Sequence, residues 1–212
     1  MLYINLLLLA IFIVVAALLY GAGLWSNTLN LVNVLTAGLV ATNYFEPLSR
    51  WLDKQEPRLT FTYDFLALWL IFAVSFSVFR AITDYVSKVK VKFFKPVEVA
   101  GSALMAIWVS WALLCFATMT LHTAPLSRNF LLGGFQERPE SKMMYRLAPD
   151  RKWLAWVHRE SQGSLSRLND TVAFDPRGDF ILRYGNRRER FAQQLTFLAP
   201  KGASPVDELM GK

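Results

Sequence analysis

The sequence predicts an all-α transmembrane four-helix bundle with a small C-terminal α+β appendage, and three observations carry that prediction. Of 212 residues, 54% are hydrophobic and only 18% charged, where an ordinary soluble domain has about a quarter charged. The charges are unevenly placed, with 8 basic and 6 acidic residues up to Leu121 against 15 and 10 from His122 onward. No charged side chain precedes Glu46, and such a run is about twice the ~20 residues that one crossing needs. These features exclude a single soluble domain and a disordered chain. A disulfide framework is excluded too, since the one cysteine, Cys115, lies inside an apolar run. The net charge of +7 does not mark a nucleic-acid binder, because the basic residues of the tail are interleaved with acids rather than gathered on one element. The expected partners are the lipid bilayer, with a second copy or another membrane protein beside it.

The first span is expected over residues 2–20, which at about 1.5 Å rise per residue reach about 28 Å, close to the hydrocarbon thickness. A cleaved signal peptide is the competing reading. No Lys or Arg precedes the run, so a retained helix is preferred. After a turn at Gly21 to Asn27 comes a second span over 29–45, with three asparagines and two threonines. Asn33, Ala37 and Ala41 recur every four residues, with Gly38 and Thr42 alongside, giving one small or amide-bearing side suited to close helix contact and interhelical hydrogen bonding. A polar substrate path is the alternative reading of that face.

Glu46 to Thr60, with Pro47, Pro57 and mixed charges, reads as a surface loop or an interfacial turn with Trp51 at headgroup depth. The third span, 61–79, contains one charge, Asp64. It follows Thr60 and Thr62, either of which could cap the helix, so its carboxylate would face the positive end of the helix dipole. The functional alternative is an intramembrane polar site. Arg80, Lys88, Lys90, Lys92 and Lys95 then form a basic stretch, in which Val89, Val91 and Phe93 alternate with lysines as in a short surface-lying amphipathic element. Lys95-Pro96-Val97-Glu98 reads as a helix start, opening a fourth span over 97–121. Ser102, Ala106 and Ser110, spaced by four beside Gly101, make a small-residue ridge against which another helix packs. Five basic residues in the third loop and three in the second (Arg50, Lys54, Arg58), with Arg128 near the membrane, favour a cytoplasmic third loop and extracytoplasmic termini.

The tail divides into a connector (126–147), a small soluble appendage (148–200) and a flexible end (201–212). Ala148-Pro149-Asp150 opens a helix placing Trp153, Trp156 and Val157 on one face, either to dock on headgroups or to fill a small core. Asp175-Pro176-Arg177-Gly178 is a turn signal. Asp179 to Tyr184 reads as a short strand ending at Gly185, with Arg187, Arg188 and Arg190 on a following helix.

The chemistry is sparse. His122 and His158 have no Cys or His neighbours at metal-ligand spacing, and Ser102 and Ser110 lack the small-residue turn of an intramembrane nucleophile. No catalytic residue, metal ligand or cofactor site is expected, and no P-loop or dinucleotide motif occurs. The alternative to a non-enzymatic packing protein is a small-solute or ion conduit that a homo-oligomer builds from Asn30, Asn33 and Asp64.

The layout over about residues 1–125 resembles the colicin V production protein family. The residues that carry the likeness are Gly21 and Gly23 at the turn of an uncharged first hairpin, Asp64 at the head of the third span, and the charged third loop running into a small-residue fourth helix. Gly101 matches the first of the family's glycines there, while Met105 and Val109 stand at the next two, with Ser102, Ala106 and Ser110 one position along. The resemblance implies a multi-pass protein of the bacterial inner (cytoplasmic) membrane. Its implied role is non-catalytic, in toxin production and export or in envelope maintenance, with no catalytic residue to carry over.

Overall fold

The computed structural model describes residues 2–88, 91, 93–126, 143–162 and 174–193, and its regular structure is helical throughout. The elements are α1 (Leu2–Tyr20), α2 (Leu24–Gln55), a 3-10 turn (Pro57–Leu59), α3 (Thr60–Val86), α4 (Lys95–Thr123), α5 (Pro149–Gln162) and α6 (Phe180–Ala192). Among the described residues, three helical segments are long and apolar enough to cross a membrane: Tyr3–Tyr20, Pro57–Val86 and Lys95–Thr123. Helix α2, which contains the expected span 29–45, is long enough at 32 residues, but its asparagines and hydroxyl side chains make it less apolar than these three.

Helix α2 is the axis of the fold, packing against α3 along one side and α4 along another, while α1 lies against α4. The register of the α2–α3 hairpin is fixed at both ends. Near the start of α2, Trp25 Nε1 donates to Ser87 Oγ at 2.7 Å and Asn33 Nδ2 to Thr83 Oγ1 at 3.0 Å. At the other end Ser49 Oγ donates to Asp64. Between them Ala37, Ala41 and Phe45 bury against Ala67, Leu68 and Phe72, and α4 adds Phe116 and Met119. Small residues on α2 leave space for large rings from α3 and α4, and the Phe72 and Phe116 rings stack with centroids 4.5 Å apart.

The expected loop from Glu46 to Thr60 is corrected: α2 runs through Pro47 to Gln55, leaving Glu56 and the 3-10 turn as the connection. Proline removes one helical hydrogen bond. The helix persists because Phe45, Ser49 and Asp53, spaced by four, are all buried on one face. Glu46 and Arg50 pair across that turn at 3.2 Å. Trp51 remains 57% exposed on the outer face. At about 1.5 Å per residue α2 reaches about 48 Å, well beyond a 30 Å hydrocarbon core of roughly that thickness. Its last turns therefore extend past the apolar part of the bundle, and there α6 packs, while α5 meets α2 nearer its middle, at Gly38 and Thr42.

The expected strand from Asp179 to Tyr184 is also corrected: Phe180–Ala192 is helix, and no strand occurs among the described residues. The turn before it is where the sequence placed it, closed by Gly178 N donating to Asp175 O at 3.0 Å, with Gly178 at φ 65°. The Asp175 carboxylate then accepts the amides of Asp179 (3.0 Å) and Phe180 (3.2 Å). That is a helix-capping arrangement, and it starts α6 where alternating apolar residues had read as extended chain. The appendage is thus helical in its described parts. The end 201–212 lies outside the described residues, as do most of the connector and Lys90 and Lys92 of the basic stretch.

Helix α5 packs along α4 and reaches α2 through Trp153. Trp153 is 2% exposed, its Nε1 donates to Thr42 Oγ1 at 3.2 Å, and its ring meets Phe116 edge-on at 5.3 Å. Of the two readings of the tryptophan pair, Trp153 is core, with Trp156 packed on it at 5.0 Å. The indole fits because residue 38 is glycine: a Cβ there would lie 2.5 Å from two indole carbons. Before α5, the left-handed turn 143–148 carries Met144, Tyr145, Arg146 and Ala148 at φ between 47° and 76°. It is held by Met144 N donating to Asn5 Oδ1 of α1 at 2.8 Å, with Met143 and Met144 buried against Ile4, Leu8 and Leu114.

Candidate functional site

The densest group of buried polar side chains lies where α6 crosses the ends of α2, α3 and α4. It has two halves, set by adjacent arginines of α6 that the helical turn aims in different directions. In the first half, Asp64 is 5% exposed. It accepts hydrogen bonds from Ser49 Oγ of α2, from Tyr184 OH at 3.0 Å and from Arg187 Nη1. Arg187 Nη2 donates to the Thr60 carbonyl, and the guanidinium lies over the rings of Phe61 (5.6 Å) and Tyr184 (5.9 Å). The planar fork thus ties α3 by side chain and backbone together, a geometry a lysine could not reproduce.

In the second half, His122 in the last turn of α4 meets Asp150 in the first turn of α5, Nε2 to Oδ2 at 2.9 Å. Arg188 Nη1 donates to the His122 carbonyl at 2.8 Å and faces its Nδ1 at 3.4 Å. The carbonyl is one of those a helix end leaves without an intrahelical donor, so Arg188 caps α4. Asp150 sits at the positive end of α5.

The surroundings shift two groups of the tail. Burial pushes the Tyr184 hydroxyl well above its ordinary value of 10.0, and the neighbouring Asp64 charge adds to this while Arg187 opposes it. Burial also raises Asp175, against the pull of the Phe180 amide and of Arg183.

The sequence-derived candidates fall in separate places. Asp64 is not a capping residue: α3 starts at Thr60, leaving no acid in its first turn, and the carboxylate points inward to α6 instead. Asn33, Ala37 and Ala41 are buried along α2, Asn33 held by Thr83, while Asn30 Oδ1 accepts from Arg80. Asn33 and Ser49, the α2 neighbour of Asp64, are sixteen residues apart on one helix, about 24 Å. The polar groups of the conduit reading therefore lie at opposite ends of the bundle, each already hydrogen-bonded. On α4, Gly101 faces Leu24, whose side-chain carbons lie 2.8 and 2.9 Å from where a Cβ would stand. Ser102 Oγ donates to the Tyr20 carbonyl at 2.7 Å, and Ala106 and Ser110 are buried, with Ser110 Oγ donating to the Ala106 carbonyl.

Sequence reasoning missed Ser49, Tyr184, Asp150 and the roles of Arg187 and Arg188. The available signal was the recurrence of Phe180, Tyr184, Arg187 and Phe191, which is helical and not extended. Chemically the site offers ion pairing and helix capping. Both ring nitrogens of His122 are engaged, and those of His158 meet the Phe174 carbonyl (2.8 Å) and the Gln162 amide (2.9 Å). No group of three His, Cys, Asp or Glu side chains able to hold a metal occurs among the described residues.

Two comparisons return nothing, since no curated protein and no solved structure matches the chain. A third finds the family described as colicin V production protein, matched over residues 4–145, from the first turn of α1 to the left-handed turn before α5. With that match spanning more than half its length and three helices apolar enough for a bilayer, the chain belongs to the colicin V production protein family.

Proposed function

We propose that this protein is a multi-pass component of the bacterial inner membrane with a non-catalytic part in toxin production and export or in envelope maintenance. In this reading α1 to α4 all cross, and α5 with α6 is a cap fixed on one end of the bundle. The observation that carries the reading is the Asp64–Arg187 contact. A carboxylate in a membrane helix would suit catalysis or transport if it were free to exchange protons or ions. Here it is saturated by three donors, two of them from the cap. Its use is to hold a tail helix in one place.

The cap end carries the start of α1 and the α2–α3 connection, and the opposite end carries Arg80, Lys88 and Lys95. Basic residues concentrate on cytoplasmic sides, and the five of the third loop, close together, against Arg50, Lys54 and Arg58 at the cap end support a cap outside the cytoplasm. The test is genetic and topological. In a colicin V-producing strain lacking this protein, toxin release or envelope integrity is expected to fall, with recovery on supply of the wild-type chain but not of Arg187→Ala. A reporter fused after Lys212 should be active only outside the cytoplasm. Undiminished toxin release together with an intact envelope in the deletion strain would overturn the role, and a cytoplasmic Lys212 would overturn the orientation.

A further inference from the structure

At the end of the bundle opposite the cap, a cavity of about 420 Å³ lies between the α1–α2 turn and the start of α4. We propose that it binds the headgroup of a phospholipid carrying a primary amine, of the phosphatidylethanolamine type. The proposal depends on the placement in a bilayer and not on the role in toxin export.

The walls are Trp25, Val91, Phe93 and Val99, and the polar side chains are Ser26, Lys95 and Glu98. Its size is within the roughly 300–1,000 Å³ usual for small-molecule sites. Glu98 comes from the first turn of α4 and reaches across to α2, where its Oε1 accepts the Leu24 amide at 2.9 Å. Gly23, at φ 87°, makes that approach possible, because a Cβ there would stand 2.9 Å from the same oxygen. The other oxygen, Oε2, is buried and has no hydrogen-bond partner among the described residues. An ionised oxygen left without a donor is expensive, so the site is built for a donor that approaches from the cavity.

Lys95 supplies the complementary charge. With one cation and one anion on its polar side, the cavity matches a zwitterion better than a ligand of net charge. The primary ammonium of an ethanolamine headgroup meets Glu98 Oε2, and its phosphate meets the Lys95 ammonium. A choline headgroup has no N–H to give, and a glycerol headgroup leaves the lipid anionic beside Glu98. The location fits, since the apolar run of α1 ends at Tyr20 and α4 opens at Lys95, which sets the cavity at headgroup depth with Trp25 in the interfacial layer.

The test is native mass spectrometry of the full chain in detergent with added dioleoyl phosphatidylethanolamine, phosphatidylcholine or phosphatidylglycerol. The ethanolamine lipid should be retained about tenfold more tightly than the choline lipid, as expected for a charge-assisted hydrogen bond. Glu98→Gln, which keeps an acceptor for the Leu24 amide, should abolish that preference. Lys95→Ala changes an exposed side chain, so it serves even if the Glu98 variant does not fold, and it should weaken ethanolamine and choline lipids alike. Equal retention of the three lipids by the wild type, or an unchanged preference in Glu98→Gln, or unchanged binding in Lys95→Ala, would overturn the proposal.

Discussion

Arg187 of α6 and Asp64 of α3 form a buried ion pair across 123 residues of sequence. The pair joins a helix outside the family match to one of the helices inside it. Burying two charges carries a desolvation penalty that their attraction does no more than offset in many proteins, so such a pair specifies where α6 sits more than it stabilises the whole. Here the further donors Ser49 and Tyr184, and the Thr60 carbonyl as acceptor for Arg187, fill most of the remaining polar valences.

Removing one partner should therefore be worse than removing both. Arg187→Ala leaves the Asp64 carboxylate buried without its countercharge, at a cost of about 3–5 kcal/mol, and Asp64→Ala does the same to the guanidinium. In a double-mutant cycle the Asp64→Ala, Arg187→Ala protein should lose clearly less than the sum of the two. Arg187→Lys should rescue little, since an ammonium cannot fork between Asp64 and the Thr60 carbonyl. Denaturant unfolding in detergent reads the stabilities, and trypsin cleavage at Arg183 and Arg190 reports release of α6. Strictly additive losses would contradict the geometry.

Tyr184 gives the junction an alkaline limit. Its hydroxyl titrates above its ordinary value of 10.0 in the folded protein because it is buried beside Asp64. Between the unfolded and folded pKa values the native state holds a proton that the unfolded state has released, so stability must fall as pH rises through that window. The contribution is complete below about pH 10 and lost above it. Tyr184→Phe should be about 1 kcal/mol less stable at neutral pH, having lost the bond to Asp64. It should also show a shallower loss of stability from pH 9 to 11 than the wild type. Parallel curves for the two proteins would exclude the role given to this hydroxyl.

What was legible in the sequence was what depends on local pattern. Apolar length marked α1, α3 and α4, and the turn at Asp175 to Gly178 stood out by its residues alone. Two elements were misread because local signals pointed the wrong way. Pro47 and its charged neighbours suggest a loop, yet Phe45, Ser49 and Asp53 have a core to face and keep the helix going. Phe180 to Tyr184 alternates like a strand, and only the Asp175 carboxylate on the next amides makes it a helix start. The partners of Asp64 were not legible at all, because no local rule couples a carboxylate in α3 to an arginine so far along the chain.

The two close glycines should respond differently to the same methyl group. At Gly38 the added Cβ would meet indole carbons of Trp153 at 2.5 Å. The ring is fixed by Thr42 and Phe116 and cannot turn aside. Gly38→Ala should therefore cost about 1–3 kcal/mol and disturb the near-ultraviolet signal of Trp153. At Gly101 the clash is with the flexible end of Leu24, which can change rotamer, so Gly101→Ala should stay within about 0.5 kcal/mol of the wild type. Pairing Gly38→Ala with Trp153→Leu should recover part of the loss. Equal effects of the two alanine variants would show that α5 does not sit in the groove over residue 38.

Adjacent residues of α4 test which of its faces packs. Ala106 is 1% exposed and Ile107 is 47% exposed, so the same phenylalanine ring meets different surroundings at each. At Ala106 the ring must force apart α4 and its neighbours, for an overpacking penalty of about 1–3 kcal/mol or more. At Ile107 it points away from the bundle, where lipid accommodates a ring as readily as an isoleucine. Ala106→Phe should accordingly lower the melting temperature in detergent and reduce crosslinking between cysteines placed on α1 and α4. Ile107→Phe should do neither. If Ala106→Phe assembles and melts like the wild type while Ile107→Phe does not, α4 is rotated relative to the packing described.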